Sequence, residues 1–418
     1  HPANIVGLTG VMHDLIDDGN SVLLVDHDTQ ILSEADWLIE MGPEAGAKGG
    51  HVIAEGTTDD IKINENSQIG PFLAGKQGIS RQKALESELF QNGAIHLSTD
   101  RIHTVKPLEV DIPKGRLTVV TGVSGSGKTT LILESLIPAL SAHIRGEKLP
   151  AHVKSISTEG IDQVKLIDAT PIGINVRSTV ATYANVHDEL RKIFARTPDA
   201  KKSKYKAGDF SYNTGSLRCP TCDGTGQISL DVQFLPDVDI PCPDCGGSRY
   251  GKEAYQIRLP LQVLLDEQDE PDGTTKQNEA DELAESIDSP ETAHDDELSL
   301  PEILALTVDQ LLALSGNLPS MAVKLRTLSE LGLGYLTLGE ATPALSGGEA
   351  QRLKLAGEMH KKQQGALFVF DEPTIGLHPH DVEVLLRVLQ RLIDKGATVI
   401  VIEHDLDMIA NSDYVIDL

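Results

Sequence analysis

Long apolar runs are missing from this sequence. Nowhere do about eighteen apolar residues follow one another, and no basic start leads into an apolar stretch with a small-residue cleavage site. A membrane-spanning or exported chain is therefore not expected, and the reading is a soluble, cytoplasmic protein. Positive charge is also short, with 36 Lys and Arg against 63 Asp and Glu and a net charge of −27. That balance argues against nucleic acid, whose phosphates are bound by cations. The deficit is local, however. Asp266 to Glu297 carries fourteen acids and one lysine with few large apolar residues, and the segment 266–299 is expected to be disordered. Without that stretch the negative charge is about halved. Arg191 to Lys206 has the opposite bias, seven basic residues and one acid, so DNA remains a possible partner through Lys201, Lys202, Lys204 and Lys206. A solvated basic face explains the same lysines equally well.

The 418 residues suffice for two or more domains. The chain begins and ends on one pattern, repeated without a gap at an offset of 377 residues. His1-Pro2 matches His378-Pro379, LIDDG (Leu15 to Gly19) matches LIDKG (Leu392 to Gly396), SVLLVDHD (Ser21 to Asp28) matches TVIVIEHD (Thr398 to Asp405), and ADWLIEM matches SDYVIDL. Each copy reads as a periodic helix ending at glycine, then a buried parallel strand, then acid-His-Asp. Two such copies imply duplicated domains. The first copy opens where the second stands at position 378, so its upstream part is expected to lie outside this chain. The resulting division is 1–75 for the C-terminal part of a first domain and 76–92 for a polar, helix-prone connector. A second domain follows over 93–150 and 341–418, interrupted by an insertion at 151–340.

Between the copies, Gly122-Val123-Ser124-Gly125-Ser126-Gly127-Lys128-Thr129-Thr130 fits GxxxxGK[ST] after an apolar strand (Arg116 to Thr121) and at a helix start. The chemistry needs this order. Glycines let successive N–H groups face phosphate oxygens, Lys128 reaches the β and γ phosphates of ATP, and Thr129 holds Mg²⁺. Leu367 to Phe370 is a second apolar strand that ends in Asp371 and Glu372. Asp371 is the expected Mg²⁺ ligand, through water, and Glu372 the group that orients or deprotonates the attacking water. His404, repeated as His27, is the expected γ-phosphate sensor. The segment Leu345 to Arg352, LSGGEAQR, resembles the signature of ABC ATPases. The resemblance implies that Ser346, Gly347 and Gly348, at a helix N-terminus, contact nucleotide held by an opposing domain.

Between Lys128 and Ser346 lie 217 residues, which contain all four cysteines. Cys219-x₂-Cys222 and Cys242-x₂-Cys245, nineteen residues apart and each followed by glycines, have the spacing of a Cys₄ zinc site inside a module at 210–255. Disulfides do not suit a cytosolic chain, and a redox CxxC pair would not come doubled.

A zinc module set between phosphate loop and signature resembles the UvrA family, and FLPDV (Phe234 to Val238), LGLGYLTLG (Leu331 to Gly339) and DEPTIGLHP (Asp371 to Pro379) agree. The resemblance covers essentially the whole chain. It implies an α/β fold, an ABC-type P-loop ATPase domain with an inserted helical signature region and zinc module, plus the end of a first such domain. It further implies an ATPase, not itself the nuclease, that recognises DNA damage in nucleotide excision repair, binds double-stranded DNA as a homodimer and loads UvrB. The chain departs from the family at IDATPIG (Ile167 to Gly173) and VRSTVATY (Val176 to Tyr183), where the family reads IDQSPIG and PRSNPATY. Ala169 thus stands where a glutamine links nucleotide to the inserted domain. This departure and the acidic insertion fit a paralogue conferring tolerance to DNA-binding drugs about as well as a repair subunit. An ABC transporter subunit would have no use for the zinc module.

Overall fold

The computed structural model describes residues 2–43, 49–76, 79–173, 176–230, 238–264 and 297–418. FLPDV up to position 237 and the acidic run up to position 296 lie outside them. The described strands are, in chain order, β1 (Leu38–Gly42), β2 (His51–Gly56), β3 (Ala94–Thr99), β4 (Leu108–Pro113), β5 (Leu117–Thr121), β6 (Val153–Ser157) and β7 (Gln163–Ile167). They continue with β8 (Gln227–Leu230), β9 (Val238–Pro241), β10 (Arg258–Pro260), β11 (Glu297–Ser299), β12 (Ala366–Asp371), β13 (Thr398–Ile402) and β14 (Tyr414–Asp417).

Two compact units form, one from residues 1–170 with 358–418 and the other from 171–357. The first is built on a parallel sheet of order β14-β5-β13-β12-β7. Strands β5 and β13 are buried along their whole length, and β12 at every position but its terminal Asp371. Such continuous burial is what uninterrupted apolar runs produce in a sheet covered on both faces. An antiparallel sheet, β4-β3-β6, lies in the same unit. Its Ile95, Leu97 and Ile112 share one core with Val120, Leu131, Leu136, Leu367 and Ile400. The units divide at 170/171 and 357/358, whereas the sequence boundaries fell at 150/151 and 340/341. The difference is physical: β7 completes the parallel sheet and β6 the antiparallel one, so residues 153–167 belong with the phosphate loop.

The first copy of the repeat keeps its helix, Pro2–Asp17, but not its strand. Ser21 to Val25 forms none, and Leu23 and Val25 are 91% and 88% exposed. The matching β13 is held between β5 and β12. No described strand flanks 21–25, and without ladder partners its backbone groups go to water. The matching segment ADWLIEM does contribute a strand, β1, in a bulged antiparallel pair with β2.

The connector is not helical either. Among its described residues, 79–85 carry no regular structure and 86–92 form a 3₁₀ turn and further turns, while the N–H groups of Arg81 and Ala84 donate to the second domain. Arg81 N–H donates to the Asn411 side chain, and its guanidinium donates to the Asp413 carboxylate (2.9 and 3.0 Å) and to Gln390 (2.6 Å). The Arg81 and Asp413 side chains are only 7% and 1% exposed. Burial alone would raise the Asp413 carboxyl, but Arg81 and the N–H groups of Ala84 and Leu117 outweigh it and hold it below the usual carboxylate range. Removing one partner strands a buried charge. Arg81→Ala should therefore lower the unfolding free energy by about 3–5 kcal/mol in a denaturant titration. Because the folded carboxyl is the stronger acid, the pair's contribution is complete above the ordinary Asp value and fades as pH falls through the depressed one. Equal stability of the variant and the unaltered chain would show that the connector is not held by this pair.

The second unit combines short helices with two small antiparallel pairs, β8-β9 and β10-β11. Strand β11 corrects the extent of the acidic segment, since Glu297 to Ser299 pairs with Arg258 to Pro260 rather than being disordered. Ser299 then caps the following helix in a reciprocal box with Glu302.

Candidate nucleotide and metal sites

The phosphate loop connects β5 to a helix that starts at Lys128. Gly122, Gly125 and Gly127 have φ of +136°, +79° and +109°, values that curl the backbone into a concave row of N–H groups. Gly122 has a second constraint: a Cβ there would sit 2.3 Å from the Leu418 carbonyl oxygen. Lys128 Nζ donates to the carbonyls of Gly122 (2.9 Å) and Val123 (3.1 Å). Burial lowers the Lys128 ammonium, while Glu372 and Asp371 act in the opposite direction. The helix widens to π over Thr130–Leu136, just ahead of Pro138, which cannot donate to a carbonyl one turn back. Thr129 is exposed at its start, and the Thr130 hydroxyl is engaged by Glu134 at 3.1 Å.

The parallel register brings the acidic strand ends together. Phe370 pairs with Ile167 and Asp371 with Ile402, so Asp371 sits beside Asp168 at the carboxyl edge of the sheet. Burial raises the Asp371 carboxyl, and Asp168 and Glu403 raise it further. Glu372 is likewise raised by burial first, then by Glu403 and Asp371. Crowded, desolvated oxygens of this kind favour a cation, and Mg²⁺ is the ion such a donor set accepts at a phosphate site. His404 Nε2 lies 3.6 Å from Glu372 Oε1. Burial lowers the imidazole, with the Lys128 charge adding to the effect, so it faces the site mainly neutral. Lys128, Asp371, Glu372 and His404 thus share one unit and one sheet edge. Sequence reasoning missed Asp168 and Glu403. The signals were an aspartate closing a strand that proves to be Asp371's neighbour, and an acid preceding His in both repeats.

Ala169 is exposed, one residue beyond Asp168, whose carboxylate accepts from the Thr170 hydroxyl at 2.6 Å. In the second unit, Ser346 begins the helix Gly347–Met359. Ser346 N–H donates to Glu349 at 2.7 Å, and Glu349 N–H to the Ser346 hydroxyl at 3.3 Å. This capping box fixes the turn while leaving Ser346 and Gly347 exposed, as contact with a ligand from another domain requires.

The four cysteines converge. Their Sγ atoms all lie within 4.8 Å of one another, with 3.9 Å between Cys219 and Cys242 and 3.7 Å between Cys222 and Cys245. A tetrahedral Zn²⁺ with Zn–S bonds of about 2.3 Å places sulfurs about 3.8 Å apart. No disulfide joins them. Glycine is required at one knuckle: a Cβ on Gly224 would approach the Tyr212 carbonyl oxygen to 1.8 Å. Burial raises the Cys219 thiol and pushes Cys245 up to about 12. At Cys222 the N–H groups of Gly226 and Gly224 overcome it and draw the thiol down to about 7. Four thiolates at this spacing would need a cation, and the all-sulfur donor set fits Zn²⁺. Lys201, Lys202, Lys204 and Lys206 are exposed, the first two at the end of the helix Pro198–Lys202.

No family model matches the sequence. UvrABC system protein A of Thermus thermophilus is 39% identical over 425 residues, covering 100% of this chain and 40% of that protein. The proteins of the same name from Clostridium perfringens and Aquifex aeolicus are each 40% identical, covering 98% and 100% of this chain and 40% and 41% of their own lengths. The crystal structure of UvrA2 from Deinococcus radiodurans superposes with a TM-score of 0.82 at 37% identity, over 100% of this chain and 46% of that one. The chain spans about two fifths of the curated relatives it matches. With a phosphate loop on a parallel sheet and a cysteine cluster in its second unit, the chain is similar along its whole length to about two fifths of UvrABC system protein A.

Proposed function

We propose that this chain carries an ATP-hydrolysing site and a zinc-bearing DNA-recognition region of a UvrA-type protein. On this reading the whole protein senses DNA damage in nucleotide excision repair as a homodimer and passes damaged sites to a UvrB-like partner. The observation that carries the reading is the convergence of Lys128, Asp371, Glu372 and His404 at one sheet edge. The loop N–H groups and Lys128 hold the β and γ phosphates, Ser124 and Ser126 line the same loop, and Thr129 and Asp371 hold Mg²⁺. That ion supplies charge neutralisation on the phosphates. Glu372 orients the attacking water and takes its proton, and neutral His404 donates to the γ-phosphate. Ser346, Gly347 and Gly348 serve a nucleotide bound by an opposing domain. The experiment is nucleotide binding: Lys128→Ala should abolish Mg-ATP affinity, and unaltered affinity would place the site elsewhere.

DNA affinity is assigned to the basic segment, with Lys201, Lys202, Lys204 and Lys206 neutralising phosphates. Their joint replacement by alanine should weaken duplex binding and flatten its salt dependence by about 0.9 in log–log slope for each phosphate no longer neutralised. An unchanged affinity and slope would mean that the four lysines are only a solvated face. Among the described residues no helix is long and apolar enough to cross a membrane. A drug-tolerance paralogue would use the same ATP and zinc chemistry.

A further inference from the structure

Glu403 is a carboxylate that the proposed hydrolytic chemistry does not use, and it is only 3% exposed. Its backbone N–H donates to Val120 O at 3.0 Å, on the strand that enters the phosphate loop. One carboxylate oxygen, Oε2, accepts from the N–H groups of His404 (2.6 Å) and Asp405 (3.3 Å). The other, Oε1, accepts from the Thr374 N–H at 3.0 Å and from the Thr374 hydroxyl. A single side chain therefore ties the loop carrying the histidine to the loop that follows Glu372.

That second loop needs holding. Glu372 has φ +46°, in the left-handed region that an ordinary side chain rarely adopts. Two anchors lie on either side of it: the Glu372 N–H bonded to Ile402 O at 2.9 Å, and Thr374 bonded to Glu403. We propose that Glu403 is a positioning residue of the hydrolytic site, fixing Glu372 and His404 in one relative geometry from behind. The proposal rests on the ATPase reading given above.

The other repeat shows what the extra methylene does. Asp26 occupies the matching position, and its carboxylate accepts from His27 N–H (2.7 Å) and Asp28 N–H (2.9 Å). Aspartate therefore suffices to cap the histidine loop, and glutamate adds the reach to Thr374. Glutamine does not substitute. Its amide offers one acceptor oxygen, so one of the two donor pairs would face an NH₂ group.

The test uses the full chain with Mg²⁺ and two probes, ADP and the β,γ-imido analogue of ATP. Glu403→Asp should keep ADP affinity while its preference for the analogue over ADP falls about ten- to a hundredfold, the scale of missing hydrogen bonds to a charged group. Thr374→Val should move the same ratio in the same direction by less, because its N–H remains. In a His404→Ala background Glu403→Asp should add less than it does alone, since the tie to Thr374 that it loses serves to hold Glu372 in register with that histidine. A thermal melt identifies any variant that does not fold; should Glu403→Asp be one, Thr374→Val carries the comparison. A γ-phosphate preference equal to that of the unaltered chain in a folded Glu403→Asp protein would overturn the proposal, as would full additivity with His404→Ala. Lys128→Ala separates the two readings: undiminished binding of both probes would remove the ATP site itself, whereas its loss beside an unaffected Glu403→Asp removes only this role.

Discussion

Glu372→Gln leaves Mg-ATP binding close to that of the unaltered protein and reduces hydrolysis by about 10²–10⁴-fold, the range attributable to a positioned general base. The substitution keeps side-chain length and the Glu372 N–H bond to Ile402 O, so the strained turn should persist. It removes the carboxylate whose Oε1 lies 3.6 Å from His404 Nε2 and which burial, Glu403 and Asp371 raise above the ordinary glutamate value. Steady-state turnover together with nucleotide affinity is the measurement. On the proposed reading a signature loop from an opposing domain completes the site, so turnover is measured across protein concentration; losing one transition-state donor typically costs about 10²–10³ in rate. Unchanged turnover would mean that another group activates the water, and Asp168 would be examined next.

The second large effect concerns the cysteines. The protein purified without chelator should contain one zinc per chain, and Cys242→Ser should contain none. Structural zinc contributes about 10–16 kcal/mol in isolated fingers, far above the few kcal/mol of core that Ile228 adds beside the sulfurs. Without the ion, β8 and β9 lose the anchor that joins their knuckles, and proteolysis of the insertion should accelerate while the parallel-sheet unit resists. The β8-β9 pair is short, four residues a side, too little to persist alone. Stoichiometric zinc in Cys242→Ser, or a stable Cys219–Cys222 disulfide, would contradict the site.

The parts legible in the sequence were those whose chemistry is local. A phosphate loop between strand and helix, paired CxxC knuckles and an acid-terminated apolar strand each specify geometry within a few residues, and the fold keeps them as read. Pairings over long separations were not legible. Arg81 looks like any connector arginine, yet it is buried against Asp413, 332 residues away. Ser21 to Val25 has the same apolar pattern as β13 but no strand beside it, and pattern alone cannot supply a ladder partner. Glu403 was visible only as half of a repeated acid-His pair; its bond to Thr374 depends on parallel strands that place distant loops side by side. The first insertion boundary moved because sheet pairing, rather than composition, decides which side of the division β6 and β7 join.

The most direct test of the account is the affinity of the full-length protein for damaged against undamaged duplex, measured with and without ATP. The account predicts tighter binding to damaged DNA, with a preference that ATP changes and that Lys128→Ala makes insensitive to nucleotide. Equal affinity for the two duplexes, unaltered by ATP, would contradict it.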